Sequence, residues 1–284
     1  MAFIFANVDG RSSLISGGSY FDLEQVSNGA VSVDPMEAIR HSVLLHAFAD
    51  RLDDYEPSGV VDEVKLGAPV PEPRNCYGIG LNYQLHVDEA SMKTPSVPMV
   101  FTKFPSCITG PDADVMLRSD QCDYEGELVI VIGKKGKDIA ERDAWDHILG
   151  FTVGQDFSDR SVQFKDDPPQ FNLGKSFDTF GPIGPFLVSI DTFHDPADLE
   201  ILTRVNGVIR QRDRTSNMIF RVPELVAYLS TITSLANGDI IFSGTPEGVG
   251  FRNGFYLQNG DVVETIIEGI GTMTNTCVRG SDFA

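Results

Sequence analysis

Apolar residues along this chain fall mostly into short alternating or unbroken runs, and two windows carry a clear helical period. The run Leu128-Val129-Ile130-Val131-Ile132 is almost wholly β-branched and predicts a strand buried on both faces. It closes the stretch Asp123–Gly133 (DYEGELVIVIG), where a period of two puts Glu125 and Glu127 on the same side of the strand's mouth. FIFANV, SLISG and SYFDL near the start are strand-like pieces separated by turn residues. Residues 36–52 read as one amphipathic helix with Ile39, Val43, Leu44, Ala47 and Leu52 near one face, capped by Asp34 with Pro35 in its first turn. His41 and His46 on that helix read as packing or surface residues. VPMVFTKFPSCITGP predicts a strand with Phe101 and Phe104 in the core and Lys103 as a polar position between them. Ile148–Val153 predicts another, ending at Gln155-Asp156 after a turn or short helix at 143–147.

Further on, Phe180–Pro185 reads as a turn leading into a strand over Phe186–Ser189, and 202–212 as a hairpin on Asn206-Gly207. Pro223–Leu235 carries the second helical period, closed by Asn237-Gly238 before a buried strand at 239–243, and 260–278 supplies two final strands. Many short strands and few helices predict an α+β fold that is mainly β. The three prolines of EVKLGAPVPEPRN mark a boundary between a small N-terminal α/β domain, residues 1–68, and a larger domain, residues 69–284. There is no internal repeat.

Composition narrows the function classes. A chain of 284 residues with a net charge of −19 lacks the basic face that nucleic acid requires, and anionic membranes would repel it. No apolar run reaches the roughly 18–20 residues that span a bilayer. The N-terminus shows no secretory pattern, and Cys76, Cys107, Cys122 and Cys277 are scattered without metal spacing, so the expectation is a cytoplasmic protein with reduced thiols. A small anionic substrate fits such a chain only where a metal, Lys or Arg reverses the local field.

Candidate chemistry begins with the paired acids. Glu125 and Glu127 could be the solvent face of an edge strand, or oxygen ligands for a hard cation that offsets their desolvation. Asp156, at the exit of the next strand, would complete three donors for one six-coordinate ion. His86 and Glu89, three apart, would share a helical face as a base and its orienting acid, or as ordinary exposed residues. Asn82, Tyr83, Lys93, Thr94, Pro95 and Pro98 around them suggest a loop-borne lid. Tyr77-Gly78-Ile79-Gly80 lacks the third glycine of a dinucleotide fingerprint, and 244–250 lacks the Gly-Lys-Ser/Thr ending of a phosphate loop. The glycines of 244–250 would instead let backbone N–H groups approach a substrate carboxylate.

In order, the chain contains NYxxHxxE, PSxxTGP, DYExELxxVIGKxGxxI, GFTVxxDxSxRxxQ, GKSFDTFGPIGP, NGxxRQxxxTSxMIF and LxxGDIIFSGTPEGVG. Over about residues 70–270 this closely resembles the fumarylacetoacetate hydrolase (acylpyruvase-like) family, in its shorter three-carboxylate type. The resemblance implies a mixed β-roll core and usually a homodimer. It implies one Mg²⁺ or Mn²⁺ per subunit, with Ca²⁺ as an alternative, on Glu125, Glu127 and Asp156. It implies that Lys175 meets a developing oxyanion, that His86 and Glu89 activate water, and that Tyr83, Arg160, Gln163 and Thr245 face a small anionic keto acid. The implied activity is hydrolysis of a C–C bond in a 1,3-diketo acid. Oxaloacetate decarboxylation, isomerisation or dehydration on the same scaffold are alternatives, and a catalytically silent binding protein is a further one. Where the family usually has Asn-Asp and then Ser-Ala-Arg-Asp, this chain has Gln155-Asp156 and Ser158-Asp159-Arg160-Ser161, which changes the charge around the implied ion.

Overall fold

A computed structural model describes residues 2–279. The chain builds a 12-stranded sheet whose central path runs Gly59–Val60, Ser19–Asp22, Arg11–Ser16, Ile4–Val8, Gly181–Ser189, Ile148–Gln155, Gly126–Ile132, Ile240–Phe242, Cys76–Gly80 and Met99–Thr102. A five-stranded sheet, in the order Val208–Arg214, Glu200–Val205, Val262–Ile267, Gly271–Val278 and Val115–Met116, packs against its middle. The fold is the strand-dominated α+β arrangement that the short apolar runs predict.

The apolar run at 128–132 is unbroken because each face of its strand has a core of its own. Leu128, Ile130 and Ile132 enter a core with Ile201, Ile267 and Met273 of the second sheet and Leu225 of the helix Val222–Ile232. Val129 and Val131 enter a second core with Phe5, Leu14, Ile39 and Leu45 from the N-terminal segment. Sandwiching strands this tightly requires small residues where backbones meet. A Cβ at Gly150 would lie 2.1 Å from the carbonyl oxygen of Val188 on the neighbouring strand. Gly150→Ala is therefore expected to destabilise the protein by roughly 2–3 kcal/mol or prevent folding, as read from a urea unfolding curve, because rigid backbone must move. An unchanged midpoint would contradict this packing.

The boundary expected after residue 68 falls between the short strand Leu66–Gly67 and Cys76–Gly80. Sheet and core nevertheless run across it: Ile4 pairs with Val188 and Phe5 with Leu187, and the second core mixes residues from both sides.

Several local expectations need correction. The single helix over 36–52 is two helices, Pro35–Arg40 and Ser42–Ala49, followed by a 3₁₀ turn at Leu52–Asp54, because His41 leaves helical geometry at φ −109°, ψ 38°. The break turns Val43 outward to 79% exposure and brings Leu45 into the core. The turn expected over 180–185 is already strand, Gly181–Ser189. Phe101 is buried, but Phe104 is exposed and Lys103 is buried. A period of two carries Lys103 to the side of Phe101, and a lysine is tolerated there because it forms an ion pair with the buried Asp156. The hairpin on Asn206-Gly207 is as expected, both residues having positive φ.

Candidate active site

Two strand ends bring the acids together. Glu127 is the second residue of Gly126–Ile132, Glu125 precedes that strand, and Asp156 follows Ile148–Gln155. Gly126 pairs with Gln155, and the N–H of Asp156 donates to the carbonyl of Glu125 at 2.8 Å, so the register fixes the three side chains as neighbours. One carboxylate oxygen from each of Glu125, Glu127 and Asp156 lies within 4.8 Å of the others, and all three residues are buried. The small residue between the glutamates matters as well: a Cβ at Gly126 would lie 2.2 Å from Thr203 Oγ1.

Cations reach this cluster from three directions. Lys175, just after the short helix Phe171–Gly174, donates from Nζ to Glu125 Oε2 at 2.8 Å, Asp156 Oδ2 at 2.6 Å and Ser158 Oγ at 3.0 Å. Lys103 donates to Asp156 Oδ1 at 2.7 Å and to the carbonyls of Lys175 and Phe180. Burial alone would lower the Lys103 pKa, but the Asp156 carboxylate outweighs it and the ammonium is held charged. Arg160 bonds Asp123 through Nε and Nη2, at 2.9 and 2.7 Å, Glu125 through Nη2 at 2.6 Å, and Gln163 through Nη1 at 2.7 Å.

Four buried carboxylates, counting Asp123, thus face three buried cations. Glu127 makes no ion pair among the described residues and accepts only the N–H of Gly244 at 2.7 Å. Burial, and then the charges of Asp156 and Glu125, push its pKa well up. Burial pushes Glu125 the same way, but Lys175 and Arg160 outweigh it and draw its pKa down. An uncompensated acid among hard oxygen donors is the environment a divalent cation fits, so Glu125, Glu127 and Asp156 could hold one.

His86 and Glu89 lie on the helix Gln84–Glu89, with His86 Nδ1 3.3 Å from Glu89 Oε2. The N–H of Gly248 donates to both Glu89 oxygens at 3.2 Å, and the Arg252 guanidinium donates to the Ala90 carbonyl, so this helix is tied to the GTPEGVG turn and to the short helix Gly250–Asn253 that follows. Gly248 sits at φ +100°, where a Cβ would meet the Arg210 carbonyl at 2.0 Å. A cavity of about 110 Å³ joins these parts. His86, Glu125, Arg160, Gln163, Lys175 and Thr245 all line it, opposite Phe101, Phe164, Phe171 and Phe251.

Four of the residues expected in the site do not line that cavity. Glu127 and Asp156 lie behind it in the carboxylate cluster, and Glu89 lies behind His86. Tyr83 is fully buried in the first core with no hydrogen-bond partner for its hydroxyl, and burial raises that hydroxyl's pKa. Thr245 lines the cavity, but its hydroxyl already donates to the Gly126 carbonyl at 2.9 Å and accepts from Gln211 Nε2 at 2.8 Å. Sequence reasoning missed Lys103, Asp123 and Gln211. For Lys103 a period of two from Phe101, which the sequence places in the core, is such a signal, and Asp123 is two residues from the candidate ligand Glu125. A larger open groove of about 940 Å³ lies elsewhere, between Arg40–His46 and Lys134-Lys135, and holds none of these residues.

Fold and cluster together define a strand-built enzyme fold with a buried oxygen-donor site beneath a small cavity. The C-terminal domain description of fumarylacetoacetate (FAA) hydrolase matches residues 75–278, and the chain belongs to this family. It is 40% identical to the oxaloacetate tautomerase YisK of Bacillus subtilis over 267 residues, 90% of this chain and 88% of the relative. Among solved structures, a fumarylacetoacetate hydrolase from Exiguobacterium antarcticum superposes with a TM-score of 0.82 at 34% identity, covering 99% of this chain and 100% of that one. Maleylpyruvate hydrolase from a Sphingobium species, solved with manganese(II) and pyruvate, gives a TM-score of 0.82 at 28% identity, with coverage of 99% and 100%. No helix among the described residues is long and apolar enough to cross a membrane, and all four cysteines are free and buried.

Proposed function

We propose that this protein catalyses divalent-ion-assisted enolisation of a small 2-oxo acid, with keto–enol tautomerisation of oxaloacetate as its reaction. The observation that carries the reading is the uncompensated Glu127 clustered with Glu125 and Asp156, behind a cavity that Glu125, Lys175 and His86 line. The name of the Bacillus subtilis relative supports the choice of oxaloacetate, and the cavity suits a small acid, being well below the roughly 300–1,000 Å³ of sites for drug-sized ligands.

Glu125, Glu127 and Asp156 would hold Mg²⁺ or Mn²⁺. When bound, the ion would supply Lewis-acid charge to the 2-oxo and carboxylate oxygens of the substrate. Lys175, whose Nζ now bonds Glu125, Asp156 and Ser158, would add a fixed cation where negative charge develops on the enolate oxygen. His86, aligned by Glu89, carries the proton between the enol oxygen and C3, the base acting on one and its conjugate acid on the other. Arg160 has five N–H donors, of which four are engaged, and the remaining Nη1 proton is available for a substrate carboxylate. Gln163 offers its amide from the same wall, and Thr245 closes the polar side. Tyr83 supports the site from behind. A homodimer with one ion per subunit remains part of this reading.

A second reading is favoured by one specific contact. The His86–Glu89 pair would also deprotonate water for attack on the distal carbonyl of a 1,3-diketo acid, followed by C–C cleavage with Lys175 meeting the enolate that leaves. Ultraviolet absorbance of enolised oxaloacetate and of acetylpyruvate, each with Mn²⁺ and protein, separates the two. Enol loss from oxaloacetate well above the buffer rate, without release of CO₂, is the expected result. Cleavage of acetylpyruvate with no effect on oxaloacetate would transfer the assignment to the hydrolase. Inactivity on both would refute the proposal.

A further inference from the structure

Each of the three facing carboxylates has one oxygen fixed by a donor that is itself immobile. Lys103 Nζ holds Asp156 Oδ1 at 2.7 Å, the Gly244 N–H holds Glu127 Oε2 at 2.7 Å, and Arg160 Nη2 holds Glu125 Oε1 at 2.6 Å. Lys103 is 1% exposed and is anchored by two backbone carbonyls besides Asp156. Gly244 sits at φ +99° with Asn82 packed against it, and Arg160 is forked onto Asp123 and Gln163. What remains without such a support is one oxygen per carboxylate: Glu125 Oε2 and Asp156 Oδ2, which Lys175 now bridges, and Glu127 Oε1.

From this arrangement we infer that the site selects a small six-coordinate ion such as Mn²⁺ over Ca²⁺, and that Lys103 is the residue that sets the selection by keeping Asp156 monodentate. The inference rests on the proposal that these carboxylates hold a divalent ion. Ca²⁺ takes six to eight oxygens at about 2.3–2.6 Å and gains readily from carboxylates that chelate with both oxygens. Three single oxygens on rigid supports deny it that gain, whereas an octahedral ion needs one oxygen from each carboxylate and completes its sphere with water and substrate. Among the three donors, Lys103 touches neither the cavity nor the other two carboxylates. It is a positioning residue, acting through Asp156.

The test reads the ratio of two affinities rather than activity. Removing the Lys103 charge should strengthen binding of every dication, so only the Mn²⁺-to-Ca²⁺ ratio reports geometry. Mn²⁺ binding is followed by electron paramagnetic resonance, with Ca²⁺ as competitor, on wild type and Lys103→Met. Wild type is expected to prefer Mn²⁺, and the ratio to fall by about tenfold or more in the variant, the scale on which residues that orient ligands tune metal sites. A wild-type ratio near one, or one that favours Ca²⁺, overturns the inference, as does an unchanged ratio in a folded variant. Should Lys103→Met not fold, X-ray absorption on the wild-type Mn²⁺ complex decides instead: single-oxygen carboxylates support the inference and a chelating carboxylate refutes it. Absence of any ion binding would overturn the proposal beneath it, an outcome distinct from binding without discrimination.

Discussion

Glu127→Gln is expected to lower ion-dependent turnover about 10³-fold or more, since several kcal/mol of charge stabilisation depend on a bound cation. The same variant should leave the metal-free protein at least as stable as wild type. The amide oxygen still accepts the Gly244 N–H, while the carboxylate of the cluster that has no ion pair among the described residues loses its charge. Burial, reinforced by Asp156 and Glu125, holds the Glu127 pKa well above its ordinary 4.5. A carboxyl whose folded pKa exceeds its unfolded value costs stability as the pH climbs from the unfolded value through the folded one, because the native state binds the extra proton. Metal-free wild type should therefore lose stability relative to the variant from about pH 4.5 upward. Mn²⁺ should raise the melting temperature of wild type only. Thermal melts from pH 5 to 8, with and without Mn²⁺, provide the measurement. A variant that melts well below wild type without metal, or that keeps its turnover, would show that Glu127 is not an ion ligand held at electrostatic cost.

His86→Ala carries the second large effect. Loss of a positioned proton carrier is expected to reduce kcat about 10²–10⁴-fold. The ion-induced rise in melting temperature should persist, because His86 lies on a separate helix from the carboxylate cluster. Glu89 would keep the Gly248 N–H, so the helix should stay docked on the GTPEGVG turn. Steady-state rates on oxaloacetate and on acetylpyruvate divide the outcomes. Loss on both places His86 at a proton transfer common to the two substrates. Full retention of ketonisation would remove His86 from the proposed tautomerase chemistry and confine it to water activation.

Much of this arrangement was legible because strand periodicity and chemistry agree here. Glu125 and Glu127 share a side, and Asp156 ends the neighbouring strand, so a period of two and one register suffice to join them. The hairpin at Asn206-Gly207 needed only its turn residues. Lys103 was misread because hydrophobicity placed Phe104 in the core ahead of it. What drives Lys103 inward is an ion pair with Asp156, 53 residues away, which no local window contains. The helix break at His41 was hidden for a similar reason. The periodicity of 36–52 tolerates one helix, but packing on the strands selects Leu45 rather than Val43. Tyr83 sits within an informative motif, yet its ring fills core space, and sequence does not show on which side of the cavity wall a residue falls.

The pairing of Ile4–Val8 with Gly181–Ser189 constrains how the protein is made. Ile4–Val8 can pair on one edge with Arg11–Ser16 at once, but on its other edge Phe5 must wait until Leu187 has been synthesised. Contacts of such sequence separation form slowly, because loop-closure entropy must be overcome before they stabilise anything. Until then that edge stays unpaired and the core around Phe3, Phe5 and Leu14 lacks Ile183 and Leu187. The N-terminal segment thus completes its sheet late, and deleting it would expose the edge of the 181–189 strand to pairing with other chains.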